Sequence, residues 1–511
     1  MPGASRGLAR VSPSRGAKQT RGGKQMQRRW HASFRRLAVA AGAGALLLAG
    51  GHLAAQTPLS PQAPPSEGPG FPGGATADDE VLPGLFPGPK GEVLRLWQRE
   101  GDRRTGGGAV LLALAKPQDA WEKLVEIRPS EKGVSARNAD LAVGPSGELA
   151  MVYRWWRDQP RSKQLRVASS DDGGKTWSQP STSVDKGGKS FTPKIAWSNK
   201  SLVVVWADER RRNRVFDIYA RRSQDRGKTW EPEQILSLFP QQVPGDLYAR
   251  PLLLSDGQDR LWVIWVGLRS GESALYLSRS TDGGRRWADP VALTGASRSA
   301  FGDIFLRAGD RMLVVWQDMR TEQDRLYAVS SSDAGATWTA PVRVDHLPAD
   351  STARTSSPTA LLSPDGEALV AWEDRRNGRA DIFLARSADG GRTWGTEDLR
   401  MDMDEAGTAV SRFPKLAKAK DGRVALAWED DRAGLEQIYL RVRSAAAPGE
   451  WSPETRVSTP APKHSAHQPE LLWDPDGALH LAWELWNMTL APARIDKRID
   501  GRTLLKVGGG S

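Results

Sequence analysis

The sequence predicts an all-β fold, a β-propeller built from four-stranded antiparallel blades, on three observations. A Ser-x-Asp-x-Gly-x-Thr-Trp phrase returns five times between Ser170 and Trp394, its copies 51 to 57 residues apart. An aromatic residue returns at Trp97, Tyr153, Trp206, Trp265, Trp316, Trp372, Trp428 and Trp483, at steps of 51 to 59 residues. Inside one period, short apolar runs alternate with turn signals four times. A fixed period of this size, running through most of 511 residues, marks one array rather than several unrelated domains.

The fifth copy shows the order of elements. Pro358 to Leu362 reads as a short strand, Pro364-Asp365-Gly366 as a turn and Ala368 to Trp372 as a second strand. Asp381 to Arg386 alternates apolar and polar residues as a third strand, the Asp-containing turn follows, and Trp394 opens a fourth. Four such strands make one propeller blade. The eight aromatic landmarks give eight blades by repeat count, while seven stays open if the first and last partial units share a blade. The outer units diverge: Trp121 and Trp451 hold the fourth-strand Trp place without the Asp, and the last unit has only Thr503-Leu504-Leu505 there.

The recurring phrase reads as a tight turn between two strands. Its Asp carboxylate accepts hydrogen bonds from backbone N–H groups that the turn leaves unpaired, and Ser and Thr hydroxyls assist. Its Gly admits a positive φ, and its Trp covers the turn with apolar area. This assigns structural work to Ser170, Asp172, Gly174 and Trp177, and to Asp225 with Trp230, Asp282 with Trp287, Asp333 with Trp338, and Asp389 with Trp394. The third copy departs, with Arg286 in the Thr place.

Composition agrees with a folded array and narrows its chemistry. Tryptophan, at 21, outnumbers Phe (10) and Tyr (6), as expected of repeated packing layers. Cysteine is absent, which excludes disulfides, thiolate metal sites and thiol nucleophiles. No cofactor is indicated. Calcium is conceivable in the Asp-rich loops, but no stretch has the dense Asp, Asn and Gly pattern of a dedicated site.

The net charge of +11 sits in the leader, since residues 1–36 hold ten Lys and Arg and no acid. Removing these ten from 72 leaves 62 basic against 61 acidic residues, which argues against a nucleic-acid partner. Residues 1–55 read as an export signal: a basic segment ending in Arg35-Arg36, an apolar run Leu37 to Ala55, and small residues at its end. Met26 offers an alternative true start, and Arg35-Arg36 before Leu37-Ala38-Val39 is a twin-arginine candidate. Left uncleaved, the apolar run is just long enough to anchor the chain in a membrane. Residues 56–82 are a Pro- and Gly-rich linker, and residues 83–511 form the propeller. The expected protein is periplasmic, cell-surface or extracellular, and a monomer.

The turn phrase resembles the Asp-box, or BNR repeat, and Asp217-Ile218-Tyr219 running to Trp230 is similar to a blade of the sialidase (neuraminidase) superfamily. That resemblance covers roughly residues 83 to 507. Sialidases generally have six blades, so the count here departs from the family. The resemblance implies a cluster of three Arg gripping a carboxylate, an Asp acid/base, and a Tyr nucleophile assisted by a Glu. Such residues come from different blades and break the repeat, so a residue present in every copy is structural.

Arg412-Phe413-Pro414 is similar to the Arg-Ile-Pro motif that enters the innermost strand in sialidases. Equivalent entries place Arg137 and Arg250, which completes a candidate set of three. Tyr248, the one Tyr off the strand positions of the repeat, is the candidate nucleophile. No Glu pairs with it from sequence. Asp430 or Asp431, downstream of Arg412, is the acid/base candidate. These two also belong to a recurring Trp-x-Asp-x-Arg phrase, at Trp206 to Arg210, Trp316 to Arg320, Trp372 to Arg376 and Trp428 to Arg432. Its recurrence favours a structural use, tying neighbouring blades by charge-assisted hydrogen bonds. The expected function is a binding or scaffold propeller for a glycan or an envelope protein partner. The alternative is an exo-α-sialidase-type glycoside hydrolase.

Overall fold

A computed structural model describes residues 80–504, apart from 100–106, 116–120, 158–161, 179–182, 187–188, 213–214, 238–240, 243–249, 270–271, 296–299, 319–322, 459–461 and 489–495. The leader and most of the linker read from the sequence lie outside the described residues. The first strand, Glu80–Pro87, starts inside the segment read as linker. Among the described residues no helix is long and apolar enough to cross a membrane.

The strands form antiparallel sheets that follow one another along the chain, at 80–127, 134–170, 190–242, 252–292, 300–343, 355–400, 411–456 and 464–504. We number them 1 to 8. In each, the chain runs in order from the inner strand outwards by antiparallel pairing of successive strands, except that in sheet 3 both Gln234–Ile235 and Gln241–Gln242 pair with the third strand. Inner strands of successive sheets lie beside one another, and the inner strand of sheet 1 lies against all three strands of sheet 8, so the first and last sheets meet. The fold is thus a propeller of four-stranded antiparallel blades.

Seven blades are complete, one fewer than the repeat count of eight. Six sheets have four strands or more. Sheet 2 gains its fourth edge from the Ser178 and Val184 N–H groups, which donate to Ser169 and Leu165 carbonyls at 2.7 Å each. Sheet 8 has only three strands. Thr503 and Leu504, expected in its fourth strand, instead end the third strand, opposite His480 and Leu479. The second strand Leu479–Asn487 needs a partner along its whole length, and the segment Asp496–Leu504 is consumed in supplying it. The first unit shares no strand with the last: its four strands pair among themselves.

The core lies between the sheets. Trp206, Trp265, Trp316, Trp372, Trp428 and Trp483 are fully buried on second strands. Five of them stack on a third-strand aromatic of their own sheet, as Trp206 does on Tyr219 with ring centroids 5.6 Å apart. Alternation along each strand then sends intervening residues such as Val203 and Val205 to the neighbouring sheet.

Two ends follow from the register. Inner strands begin where second strands finish, as at Ser190 opposite Asp208, Thr355 opposite Asp374 and Ser411 opposite Asp430. This end carries the channel mouth and the Trp-x-Asp-x-Arg loops. The Asp-box turns stand at the other end, where Gly390 N–H donates to Gly366 O at 2.7 Å.

Candidate functional site

The Asp-boxes are rivets, and their geometry accounts for every residue type. In the first, Gly174 N–H donates to Ser170 Oγ at 2.8 Å, while Ser170 Oγ–H donates to Asp172. Thr176 donates through both N–H and hydroxyl to the same carboxylate, at 2.9 and 2.6 Å. These bonds hold the Asp172 carboxyl down at about 2. Asp225, Asp282, Asp333 and Asp389 repeat the arrangement, with Arg286 N–H and Nε replacing the Thr donors on Asp282. Trp177 and Trp338 donate their indole N–H to the Gly174 and Gly335 carbonyls. Trp230, Trp287 and Trp394 pack as half-buried covers on the core clusters. Glycine is required twice over at Gly391: φ is +89°, and a Cβ would stand 2.6 Å from Leu313 Cδ1 of the preceding sheet. One expectation fails, because Trp394 does not open the fourth strand. That strand is only Leu399–Arg400, and the chain between lies as a turn fixed by Gly395 N–H on Arg386 O.

The Trp-x-Asp-x-Arg phrases are also structural. Asp430, fully buried, accepts from Ser411 Oγ at 2.7 Å, Trp428 Nε1 at 3.3 Å and the Arg432 N–H and guanidinium. Burial raises the Asp430 carboxyl, but the Arg432 bonds outweigh it and hold it below the usual range. Arg432 lies over the Tyr439 ring and also pairs with Glu454. Arg210 and Arg376 repeat this on Asp208 with Glu233, and on Asp374 with Asp398. The ties therefore run mainly within a blade, from second strand to outer strand, and not between neighbours as the sequence suggested. The Arg needs an anion on its own side of the aromatic it covers, and the outer strand of the same sheet supplies it. Asp431 accepts from Val410 N–H at 2.8 Å and pairs with Arg379 of sheet 6.

The three candidate arginines stand on sheets 2, 4 and 7, with at least one whole sheet between any two. Arg137 lies on the Trp156 ring at 4.2 Å. Arg250 is exposed just before its inner strand. Arg412 is half-buried, opposite Glu429, and its guanidinium has no partner among the described residues. Tyr248 lies outside the described residues.

What sequence reasoning missed is a break in the repeat on sheet 2. There the second strand ends Tyr153-Arg154-Trp155-Trp156-Arg157, with Trp155 where other blades place the structural Asp. Arg166 lies on the Trp155 ring at 4.0 Å, and Arg154 and Lys163 flank Phe191 at 5.6 and 3.5 Å. Arg137 lies on Trp156, and because Trp155 and Trp156 are consecutive on the strand, these cation–aromatic pairs stand on opposite faces of sheet 2, their tryptophans half-buried. The doubled Trp was the available signal.

A second asymmetric set follows the core tryptophans of the last three sheets: Glu373, Glu429 and Glu484, all buried. Glu373 and Glu429 accept from the N–H groups of Phe413 and Gln468 on the next inner strand, at 3.1 and 3.0 Å. Both donors sit at β-bulges with φ of 50°. Gln98 does the same for Asn138 at 2.8 Å. Glu429 also meets His467 Nδ1 at 3.2 Å, and His467 Nε2 meets Ser465 Oγ at 2.7 Å. This has the spacing of a nucleophile, base and orienting acid. Ser465, however, is wholly buried, and the N–H of Ala466 is spent on Glu436 O, so no substrate carbonyl reaches it.

One carboxylate cluster has metal-ligand spacing: Asp381, Asp402 and Asp404, their oxygens within 4.8 Å of one another. Arg400 Nη2 lies between them at 3.3, 2.5 and 2.5 Å, where a cation would sit. Burial, with Asp404 and Asp381 adjacent, pushes the Asp402 carboxyl up to about 8. The guanidinium already supplies the positive charge this cluster calls for.

Architecture, turn geometry and repeat together define a β-propeller whose blades carry Asp-box turns. Residues 91–317 match the BNR repeat-like domain. No curated protein is similar to the chain in sequence. Similar solved structures include a protein of unknown function from Dyadobacter fermentans, 16% identical, covering 73% of this chain and 94% of its own, with a TM-score of 0.39. An α-L-arabinanase from Penicillium chrysogenum in complex with arabinobiose is 15% identical over 72% and 93%, with a TM-score of 0.38. The NanB sialidase of Streptococcus pneumoniae is 15% identical over 70% and 66%, with a TM-score of 0.36.

Proposed function

We propose that this is an exported binding propeller that takes a glycan at its channel mouth, with sheet 2 as the principal contact. The observation that carries the reading is the set of cation–aromatic pairs at this end of sheet 2, Arg166 on Trp155 on one face, and Arg137 on Trp156 with Arg154 beside Phe191 on the other. Half-buried indole faces stack on the apolar faces of sugar rings, and guanidinium forks meet carboxylate or hydroxyl groups with paired hydrogen bonds. Stacked against rings, the arginines are held in place before a ligand arrives, which lowers the ordering cost of binding. An envelope protein partner would use the same aromatic and Arg anchors.

The test is a glycan array followed by calorimetry on the mature protein and its Trp156→Ala variant. Binding weakened at least about tenfold in the variant supports the reading. An empty array together with an empty pull-down from envelope extracts overturns it.

Sialidase-type hydrolysis is the second reading, favoured by Arg412, a half-buried guanidinium at the mouth without a partner among the described residues. It requires turnover of a fluorogenic sialoside by the unmutated protein and its loss in Arg412→Ala. Absence of turnover removes it and leaves the binding reading in place.

A further inference from the structure

A second polar cleft opens at the mouth end, away from sheet 2, between the segment entering sheet 6 and the loop that leaves its second strand. Its volume is about 430 Å³, and its lining includes Ser351, Thr352, Arg354, Arg375 and Arg376. The two walls meet because Thr355 pairs with Asp374 and Arg375 N–H donates to Arg354 O at 3.2 Å. That register brings together arginines that stand 21 residues apart in the chain.

The walls are fixed from below. Arg325, only 2% exposed, donates to Ala353 O at 2.8 Å, Ser351 O at 2.5 Å and Asp324 O at 2.9 Å, which locks the entering segment. Arg376 is clamped by Asp374 and Asp398 at 2.7 and 2.6 Å, and those bonds overcome burial to keep it charged. Its charge is matched within the protein. Arg354 has one acid near, Asp324, at 3.8 Å, and its side chain is 68% exposed. Arg375 is exposed, and its guanidinium has no partner among the described residues. The cleft thus offers one uncompensated and one weakly compensated guanidinium above a rigid floor, with the Ser351 and Thr352 hydroxyls beside them.

None of this repeats. The position of Arg375 is Glu209 in sheet 3, Met319 in sheet 5 and Asp431 in sheet 7. The Asp-boxes and the Trp-x-Asp-x-Arg ties recur and build the fold; this pair of arginines does not, and no bond among the described residues uses the Arg375 side chain. The geometry points to a binding site for a small hydroxylated molecule that carries one oxyanion, a sugar acid or sugar phosphate, gripped by Arg354 and Arg375. The volume suits a ligand of that size, and the absence of aromatic residues from the lining separates this site from the stacking surface on sheet 2. A planar guanidinium matches a carboxylate or phosphate with two parallel hydrogen bonds, and two of them reject a neutral analogue by leaving charge unanswered.

Calorimetric titration of the purified protein with galacturonate, glucose 1-phosphate and neutral glucose tests the assignment. We expect saturable binding of at least one anionic sugar and none of glucose. Arg375→Gln is expected to weaken that binding about tenfold or more, while Arg285→Gln, an exposed arginine on an Asp-box turn, leaves it unchanged. Trp156→Ala is also expected to leave it unchanged, so its outcome is separable from that of the sheet 2 reading. No binding by either anion, equal binding of glucose, or equal losses in Arg375→Gln and Arg285→Gln would each overturn the inference.

Discussion

Replacing Glu367 by Gln removes one charge at the seam between sheets 6 and 7 and is expected to destabilise the propeller in a pH-dependent way. Glu367 follows the turn at the far end of sheet 6 and receives both Arg443 Nη groups at 2.8 Å, Arg386 Nε at 3.0 Å and Lys418 Nζ at 3.3 Å. Arg443 and Lys418 belong to sheet 7, so the carboxylate holds the two sheets together. Burial raises its pKa, but the Arg443 bonds outweigh it and bring it to about 2 from 4.5. That difference corresponds to at most about 3 kcal/mol, and about 2 kcal/mol after allowing for partial solvent screening. The folded-state pKa is depressed, so this stability is fully present above the unfolded-state value and is lost as pH falls from about 4.5 towards 2. Urea unfolding followed by tryptophan fluorescence at pH 7, 5, 4 and 3 reads it directly. The gap between wild type and Glu367→Gln should be constant from pH 7 to 5 and then shrink. A gap below about 0.5 kcal/mol at pH 7, or one that does not change with pH, would refute the reasoning.

Three further outcomes follow from the same contacts. Gly391→Ala should cost about 2–4 kcal/mol in urea unfolding, since it adds a left-handed Cβ and a clash with Leu313, whereas Gly173→Ala, with φ +71° and open space around it, should cost only about 1–2 kcal/mol. Asp430→Asn should lose about 3 kcal/mol by leaving Arg432 half-buried without one of its two paired carboxylates, yet leave glycan affinity unchanged when measured below the unfolding transition. Lys415→Met removes the pair with Glu470 between inner strands at 2.8 Å, but the side chains are 40% and 30% exposed, so the unfolding free energy should change by no more than about 0.5 kcal/mol.

How much of this was legible in the sequence depends on how local each interaction is. The Asp-box could be read because its bonds join residues two and four apart, Ser170 to Asp172 and Asp172 to Thr176. The Trp-x-Asp pair was legible as structural by recurrence, but the direction of its tie was not, because Glu233, Asp398 and Glu454 stand immediately before the outer strands, more than 20 residues on. The inner-strand bulges left a signature in the residue that follows and not in the strained residue itself: Asn138, Thr192, Ser357, Phe413 and Gln468 share φ values of 44–50° and differ in type, but all except Asn138 precede a proline. At three of them a carboxylate or amide from the preceding sheet holds the strained N–H, so tertiary contact substitutes for a tolerant residue. The cleft at Arg354 and Arg375 was hidden for the same reason, since it exists only once Thr355 is in register with Asp374.

The places where the repeat loses its Asp separate fold from function. In sheets 4 and 8 Gly267 and Leu485 stand at that position, and among the described residues the buried indole N–H groups of Trp265 and Trp483 find no acceptor. In sheet 2 Tyr153 replaces the core Trp, and its hydroxyl is likewise buried without a partner among the described residues. The vacated position then carries Trp155, which lies against Arg166 at the mouth. Sheet 2 differs from sheets 4 and 8 in what it puts in place of the Asp, an aromatic side chain that an arginine of the same sheet covers, and that difference is why the proposed glycan contact is placed there.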